Sequence, residues 1–218
     1  MPRNWPALVI GVIMTIYWQR VAVMVVRTRK QSGHGANFIP PEKTGRVIRA
    51  IWMPVITLWI LLPFIAFGVR YPQRFTAEVR PMLTMWHVPT MVKWIAVVIA
   101  VAALGATFVC WKRMGTSWRM GIDPNDRTQL ISSGPYAYVR HPIYGLSTLL
   151  MLMTMLVIPS PLMIAAGVIH IILLQWEARR EEIYLSKAHG EEYTRYMEQT
   201  GRFFPRWNRV HGMLSEER

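Results

Sequence analysis

Apolar residues run almost without interruption through three stretches of this chain, residues 5 to 26, 50 to 69 and 91 to 111. A bilayer core takes about 20 apolar residues per helix, so each stretch predicts a membrane-spanning helix. A fourth apolar block, residues 143 to 176, is too long for one span, and Pro159-Ser160-Pro161 breaks it near its middle. Proline is unfavourable in a helix interior and accepted at a helix start, so this block predicts two shorter helices joined by a tight turn. After Glu177 the helical pattern continues with alternating charges, Arg179, Arg180, Glu181 and Glu182, until Gly190 offers a stop. The fifth helix is therefore expected to project past the membrane. The expected fold is all-α: a polytopic membrane helix bundle of about five transmembrane helices with a cytoplasmic C-terminal helical tail, forming a single membrane domain over residues 1–218.

Charge supports the count of five. Lysine and arginine number six in residues 27 to 49, four in 70 to 93, five in 112 to 142, none at the Pro159-Ser160-Pro161 turn and eight from 177 onward. Loops rich in Lys and Arg stay on the cytoplasmic side, and five spans with the amino end outside place the three richest segments there. A net charge of +13 could suggest nucleic acid, but with 52% hydrophobic and 17% charged residues the basic groups flank apolar runs. A basic stripe independent of those runs is missing, so nucleic acid is not expected as a partner. Trp5 to Val26 lacks a following small-residue cleavage pattern and reads as a retained helix, not a signal peptide. Ser215-Glu216-Glu217-Arg218 carries no prenylation box. The single cysteine, Cys110, can build neither a disulfide framework nor a cysteine metal site from this chain alone. Ala102, Ala106 and Cys110 recur every four residues, a small-residue stripe expected to mark close helix packing.

No glycine fingerprint for dinucleotides, phosphate-binding loop or paired-histidine zinc motif is present. The informative polar stretch is Lys112 to Pro142, with turn signals at Asp123-Pro124-Asn125 and Ser133-Gly134-Pro135. It ends in Tyr136-Ala137-Tyr138-Val139-Arg140-His141-Pro142-Ile143-Tyr144-Gly145, which places a guanidinium, an imidazole and three phenols at the mouth of the fourth span. These groups suit an anionic or polar ligand, and they equally suit interface anchors and an aromatic belt. His141 precedes proline, so it is expected outside the helical region. On the fifth helix, His170, Leu174, Glu177 and Glu181 fall on one stripe, an imidazole in line with two carboxylates. That is a charged mouth above a groove, or a solvated face with ordinary ion pairs. Glu181 and Glu182 are both expected at the solvated end of this helix.

Gly134-Pro135-Tyr136, Arg140-His141-Pro142-Ile143-Tyr144 and, far downstream, Glu181-Glu182, Leu185, Gly190, Tyr193, Tyr196, Arg202 and Pro205 together resemble the C-terminal half of the isoprenylcysteine carboxyl methyltransferase family. The resemblance covers residues 115–206, leaving 1–114 as variable N-terminal spans. It implies a membrane methyltransferase using S-adenosylmethionine and acting on a lipophilic small-molecule or lipidated acceptor among membrane lipids, such as the carboxylate of an isoprenylcysteine-like substrate. Carried over, His141, Tyr144, Glu181 and Glu182 become cofactor-site candidates, with Tyr136, Trp118 and Arg119 beside them. Arg140 is a candidate for the cofactor's carboxylate. Glu177 and His170 are candidate bases for an amine or thiol acceptor, whereas a carboxylate acceptor is already ionised and needs none. One departure is that Gly145 directly follows Tyr144, where the family usually has glycine one position later; Leu146 stands there. The competing readings are an NAD(P)H-dependent sterol-type membrane reductase, which shares a related arginine-histidine-proline segment, and a non-enzymatic membrane component.

Overall fold

The computed structural model describes residues 4–32, 42–68, 76–115, 118 and 130–206. These form seven α-helices: α1 (Trp5–Ser32), α2 (Lys43–Gly68), α3 (Arg80–Leu83), α4 (Thr90–Met114), α5 (Pro142–Val157), α6 (Pro161–His189) and α7 (Glu191–Gln199), with a 3-10 turn at Gly134–Ala137. Helices α1, α2, α4 and α6 are long and apolar enough to cross a membrane, and α5 is a shorter apolar helix. Its 16 residues rise about 24 Å against a hydrocarbon core of about 30 Å. Prolines set its length, since Pro142 occupies its first turn and Pro159 follows its end. Ser160 then caps α6 by accepting from the Met163 amide, with Pro161 in the first turn, as a proline-led helix start requires. The polytopic helical bundle expected from the apolar pattern is thus the fold. α6 continues well past its apolar portion to Gly190, whose φ of 56° ends the helix.

The connections sort to two ends. The Trp86 amide, before α4, donates to the Pro159 carbonyl at 2.9 Å, so the α2–α4 connection and the α5–α6 turn share one end. Glu42, before α2, pairs with Arg180 of α6, so the other end carries the start of α2 and the charged continuation of α6.

Packing joins α1 to α2 and α4, α4 to α5, and α6 to α2 and α5. Gly11 of α1 faces the Phe64 ring of α2 so closely that an added Cβ would lie 3.0 Å from it. On α4 the buried face is Ala96, Ala100, Ala103, Thr107 and Cys110, while Ala102 and Ala106 are exposed. The expected stripe is therefore corrected. A strict four-residue repeat drifts about 40° per step around a 3.6-residue helix, and only its last member, Cys110, reaches the packed face.

Polar side chains cross the apolar interior in closed pairs. Trp59 Nε1 donates to Thr154 Oγ1 at 2.9 Å, and Thr154 Oγ1 donates to the Leu150 carbonyl at 2.8 Å. Trp52 Nε1 donates to His170 Nδ1 at 2.9 Å, His170 Nε2 lies 3.1 Å from Ser147 Oγ, and Ser147 is hydrogen-bonded to Tyr17. One relay thus ties α2, α6, α5 and α1. Between membrane helices such bonds contribute on average about 0.6 kcal/mol each.

Candidate functional site

The site is built where the chain enters α5. Gly134 adopts φ 63°, a conformation that favours glycine, and opens the 3-10 turn carrying Tyr136. His141, pushed out of the helical region by Pro142, has φ −122° and ψ 61° and precedes the first turn of α5, as expected. After the 3-10 turn, which Tyr138 closes, the short stretch from Val139 to His141 lies free of helix, and the tail pairs with it. After α7, Gly201 forms a parallel bridge with Val139. The Arg140 amide donates to the Gly201 carbonyl at 2.8 Å, the His141 amide to Arg202 at 3.0 Å, and the Gly201 amide to Tyr138 at 3.2 Å. Gly145 explains itself here. A Cβ on it would stand 3.0 Å from the Phe203 carbonyl, so glycine in the first turn of α5 lets the tail lie against the helix.

Glu182 closes this strap. Its Oε1 accepts from Arg140 Nε and from Arg202 Nε, each at 3.0 Å, Arg202 Nη2 reaches its Oε2, and His141 Nε2 lies 3.5 Å from Oε1. Arg140 also donates to the carbonyls of Met197, at 3.1 Å, and Thr200. Its guanidinium therefore fastens the end of α7 as well. Glu182 is buried, not solvated, which corrects the expectation for this residue. The reason is that the tail folds back over it.

Its neighbour faces elsewhere. Glu181 Oε1 accepts from the Tyr144 hydroxyl, its Oε2 lies 3.4 Å from His141 Nδ1, and 21% of its side chain remains exposed. The imidazole of His141 stacks parallel to the Tyr144 ring at 5.4 Å. Burial disfavours the charged imidazolium, but the two carboxylates facing its nitrogens outweigh burial and hold its proton above the usual histidine range. The hydroxyls of Tyr136 and Tyr193 are buried without a hydrogen-bond partner among the described residues. Burial raises both phenols, and the carboxylates of Glu181 and, for Tyr193, Glu182 push the same way. Tyr196, held up to about 12 by burial, donates to the Tyr136 carbonyl at 2.6 Å and fixes the turn against α7.

Of the residues singled out in the sequence, Arg140, His141, Tyr144, Glu181 and Glu182 converge, with Tyr136 beside them. Glu177 lies one turn before Glu181 on α6, buried and bonded to Arg180 Nη1 at 2.8 Å. His170 does not join the site. It is 0% exposed, and since an indole nitrogen can only donate, Nδ1 must accept from Trp52 and Nε2 carries the proton toward Ser147. With both nitrogens engaged, the expectation of a poised base at His170 gives way to an interhelical tie. Trp118 is buried in the hydrophobic core, and Arg119 lies outside the described residues. Sequence reasoning missed Arg49 of α2, which is 8% exposed and whose charge acts on Glu177 and Tyr144. A signal existed, because Arg49, Trp52, Ile56 and Trp59 fall on one helical face, all buried.

Residues 94–187 match the model of the isoprenylcysteine carboxyl methyltransferase (ICMT) family. No curated protein matches the chain. The resemblance carried by the Arg-His-Pro segment and the paired glutamates is borne out over this region, and the matched family is a methyltransferase family.

Proposed function

From this ICMT-family region we propose that the chain binds S-adenosylmethionine at the junction of α5, α6 and the tail, and transfers its methyl group to a lipophilic acceptor in the membrane. The observation that carries the reading is the partly exposed Glu181 carboxylate, held between the Tyr144 hydroxyl and His141, beside two buried tyrosine hydroxyls with no partner among the described residues. A carboxylate of this kind holds an ammonium group, and the two phenols offer hydrogen bonds to the hydroxyls of a nucleoside. The fit is therefore good in donor chemistry. When bound, the cofactor supplies a methyl group on a sulfonium: the carbon–sulfur bond breaks, the bond to the acceptor forms, and a neutral thioether leaves.

The protein's part is to align and to exclude water. Glu182, Arg140 and Arg202 fasten the tail over the mouth of α5, keeping His141 and Tyr144 stacked beside Glu181. Acceptors then arrive laterally between apolar helices, and a carboxylate acceptor needs no base. We take residues 1–218 as one membrane domain, because the strap at 200–206 and the start of α2 both meet the matched region. The lysine and arginine distribution supports a cytosolic tail and a cytosolic start of α2. Titration of S-adenosylmethionine into purified protein by calorimetry tests the reading. Saturable binding weakened by Glu181→Gln is expected; heat from a nicotinamide cofactor instead would favour a reductase, and no binding of either a non-enzymatic component.

A further inference from the structure

We propose that the cofactor's ammonium, on reaching Glu181, displaces the Nδ1 proton of His141, so that each cofactor taken up releases a proton; the inference rests on the methyl-transfer reading above. The imidazole is set between the two glutamates, with Nδ1 3.4 Å from Glu181 Oε2 and Nε2 3.5 Å from Glu182 Oε1. The parallel Tyr144 ring at 5.4 Å and Phe203 of the tail at 6.2 Å hold it in that plane. The two carboxylates are unequally supplied with positive charge. Glu182 accepts from Arg140 and Arg202, whereas among the described residues Glu181 forms an ion pair with His141 alone. Before the cofactor binds, the imidazolium is thus the countercharge of Glu181, the role that a ligand's ammonium would take over.

The groups around the ring differ in how readily they lose a proton. α6 presents Glu181 and Glu182, with Glu177 one turn earlier bonded to Arg180, and α5 presents Tyr144, whose hydroxyl donates to Glu181. Arg140 and the tail's Arg202 are committed to Glu182. The phenols of Tyr136 and Tyr193 lie in the field of these carboxylates, and Arg49 of α2 acts on Tyr144 and Glu177. Arginines keep their protons, and an α-ammonium gives up its own only near about pH 8, so His141 is the group that yields. Two cations facing one carboxylate disfavour each other. The Nδ1–H bond breaks, its electron pair stays on Nδ1, and the proton leaves to water past the partly exposed Glu181 carboxylate. Nδ1 then accepts from the ammonium, while Nε2–H still faces Glu182. One ring thereby donates to Glu181 before binding and accepts from the ligand after it, and loading grows more favourable as pH rises.

The test is calorimetric titration of S-adenosylhomocysteine, which carries the same ammonium, into the full-length protein in detergent, in phosphate and in Bis-Tris, whose heats of ionisation differ. The free ring holds its proton above the ordinary 6.5, so at pH 6.5 the parent is expected to release about half to one proton per ligand, and to bind more tightly at about pH 7.5. The ligand's own amine works with the opposite sign, since fixing it as ammonium takes up a proton. His141→Gln, whose side chain does not titrate, should bind with release below about a tenth of a proton. Uptake or no exchange in the parent would overturn the inference, while the binding itself upholds the methyl-transfer reading. Release undiminished in His141→Gln would overturn it as well. A parent that binds no S-adenosylhomocysteine removes the methyl-transfer reading and this inference with it. If His141→Gln does not fold or bind, nitrogen NMR of the histidine-labelled parent decides. One imidazole whose titration midpoint falls by about one unit or more on ligand addition supports the assignment, and unmoved midpoints overturn it.

Discussion

Replacing Glu182 by glutamine separates the two adjacent glutamates more sharply than any other single change. Glu182 is buried and faces two arginines and a histidine. Removing one member of a buried ion pair commonly costs about 3–5 kcal/mol. Glutamine keeps one accepting oxygen, and Arg202, with 33% of its side chain exposed, can turn to water, so a cost of about 2–3 kcal/mol is expected. That cost falls on the strap. The amides of Arg140 and His141 are protected by the carbonyls of Gly201 and Arg202, and their exchange requires the strap to open. A loss of about 2–3 kcal/mol raises the open population roughly 30- to 140-fold. Hydrogen exchange followed by mass spectrometry on the peptide spanning residues 138–142 reads this directly. Glu181→Gln should leave protection within about twofold, since the Glu181 carboxylate bonds Tyr144 and faces His141, with no bond to the described residues of the tail, while weakening cofactor binding. Equal protection in the parent and Glu182→Gln would refute the account of Glu182 as the fastening of the tail.

The histidine gives the strap a pH dependence. His141 holds its proton above the ordinary value of 6.5, so its contribution to stability is fully present below pH 6.5 and is lost as pH rises through the raised folded value. Protection of the same peptide should fall as pH rises from 6.5, after correction for intrinsic exchange, and His141→Gln should flatten the profile; an equally steep profile in that variant would remove His141 as the cause. Sidedness is tested in a Cys110→Ala background with an impermeant thiol reagent on intact cells. Ser160 is a poor reporter because it is buried and caps α6, so exposed Met85→Cys, at the same end as the Pro159 turn, should label from outside. Glu192→Cys on α7 should label only after permeabilisation, and the reverse pattern would invert the proposed orientation.

The apolar runs were legible because a bilayer imposes a length on each helix that few other constraints do. Their ends were less so. α1 and α2 gain polar turns at Arg27–Lys30 and Lys43–Arg49, since a helix satisfies its own backbone whether or not its side chains are apolar. His141 was placed outside the helix by the proline that follows it, a purely local constraint. The division of labour between Glu181 and Glu182 was not local. Adjacent helix positions point about 100° apart, and only the tail returning from Thr200 decides which of the two is covered.

Arg49 shows the same limit from the other direction. In the sequence it belongs to a run of basic residues whose evident use is to mark a cytoplasmic loop, and nothing local sets it apart from Arg46. What distinguishes it is the face of α2 it occupies, in register with Trp52 and Trp59, and what that face meets on α6. A loop charge needs only to stay in water, whereas Arg49 has been withdrawn from water and set beside Glu177 and Tyr144. Withdrawing a guanidinium is tolerated only where nearby carboxylates or a bound anion offset the lost hydration. Glu177 offsets part of that loss and in turn bonds Arg180 at 2.8 Å, so one buried carboxylate serves both the start of α2 and the charged continuation of α6, a sharing that no local pattern in either segment announces.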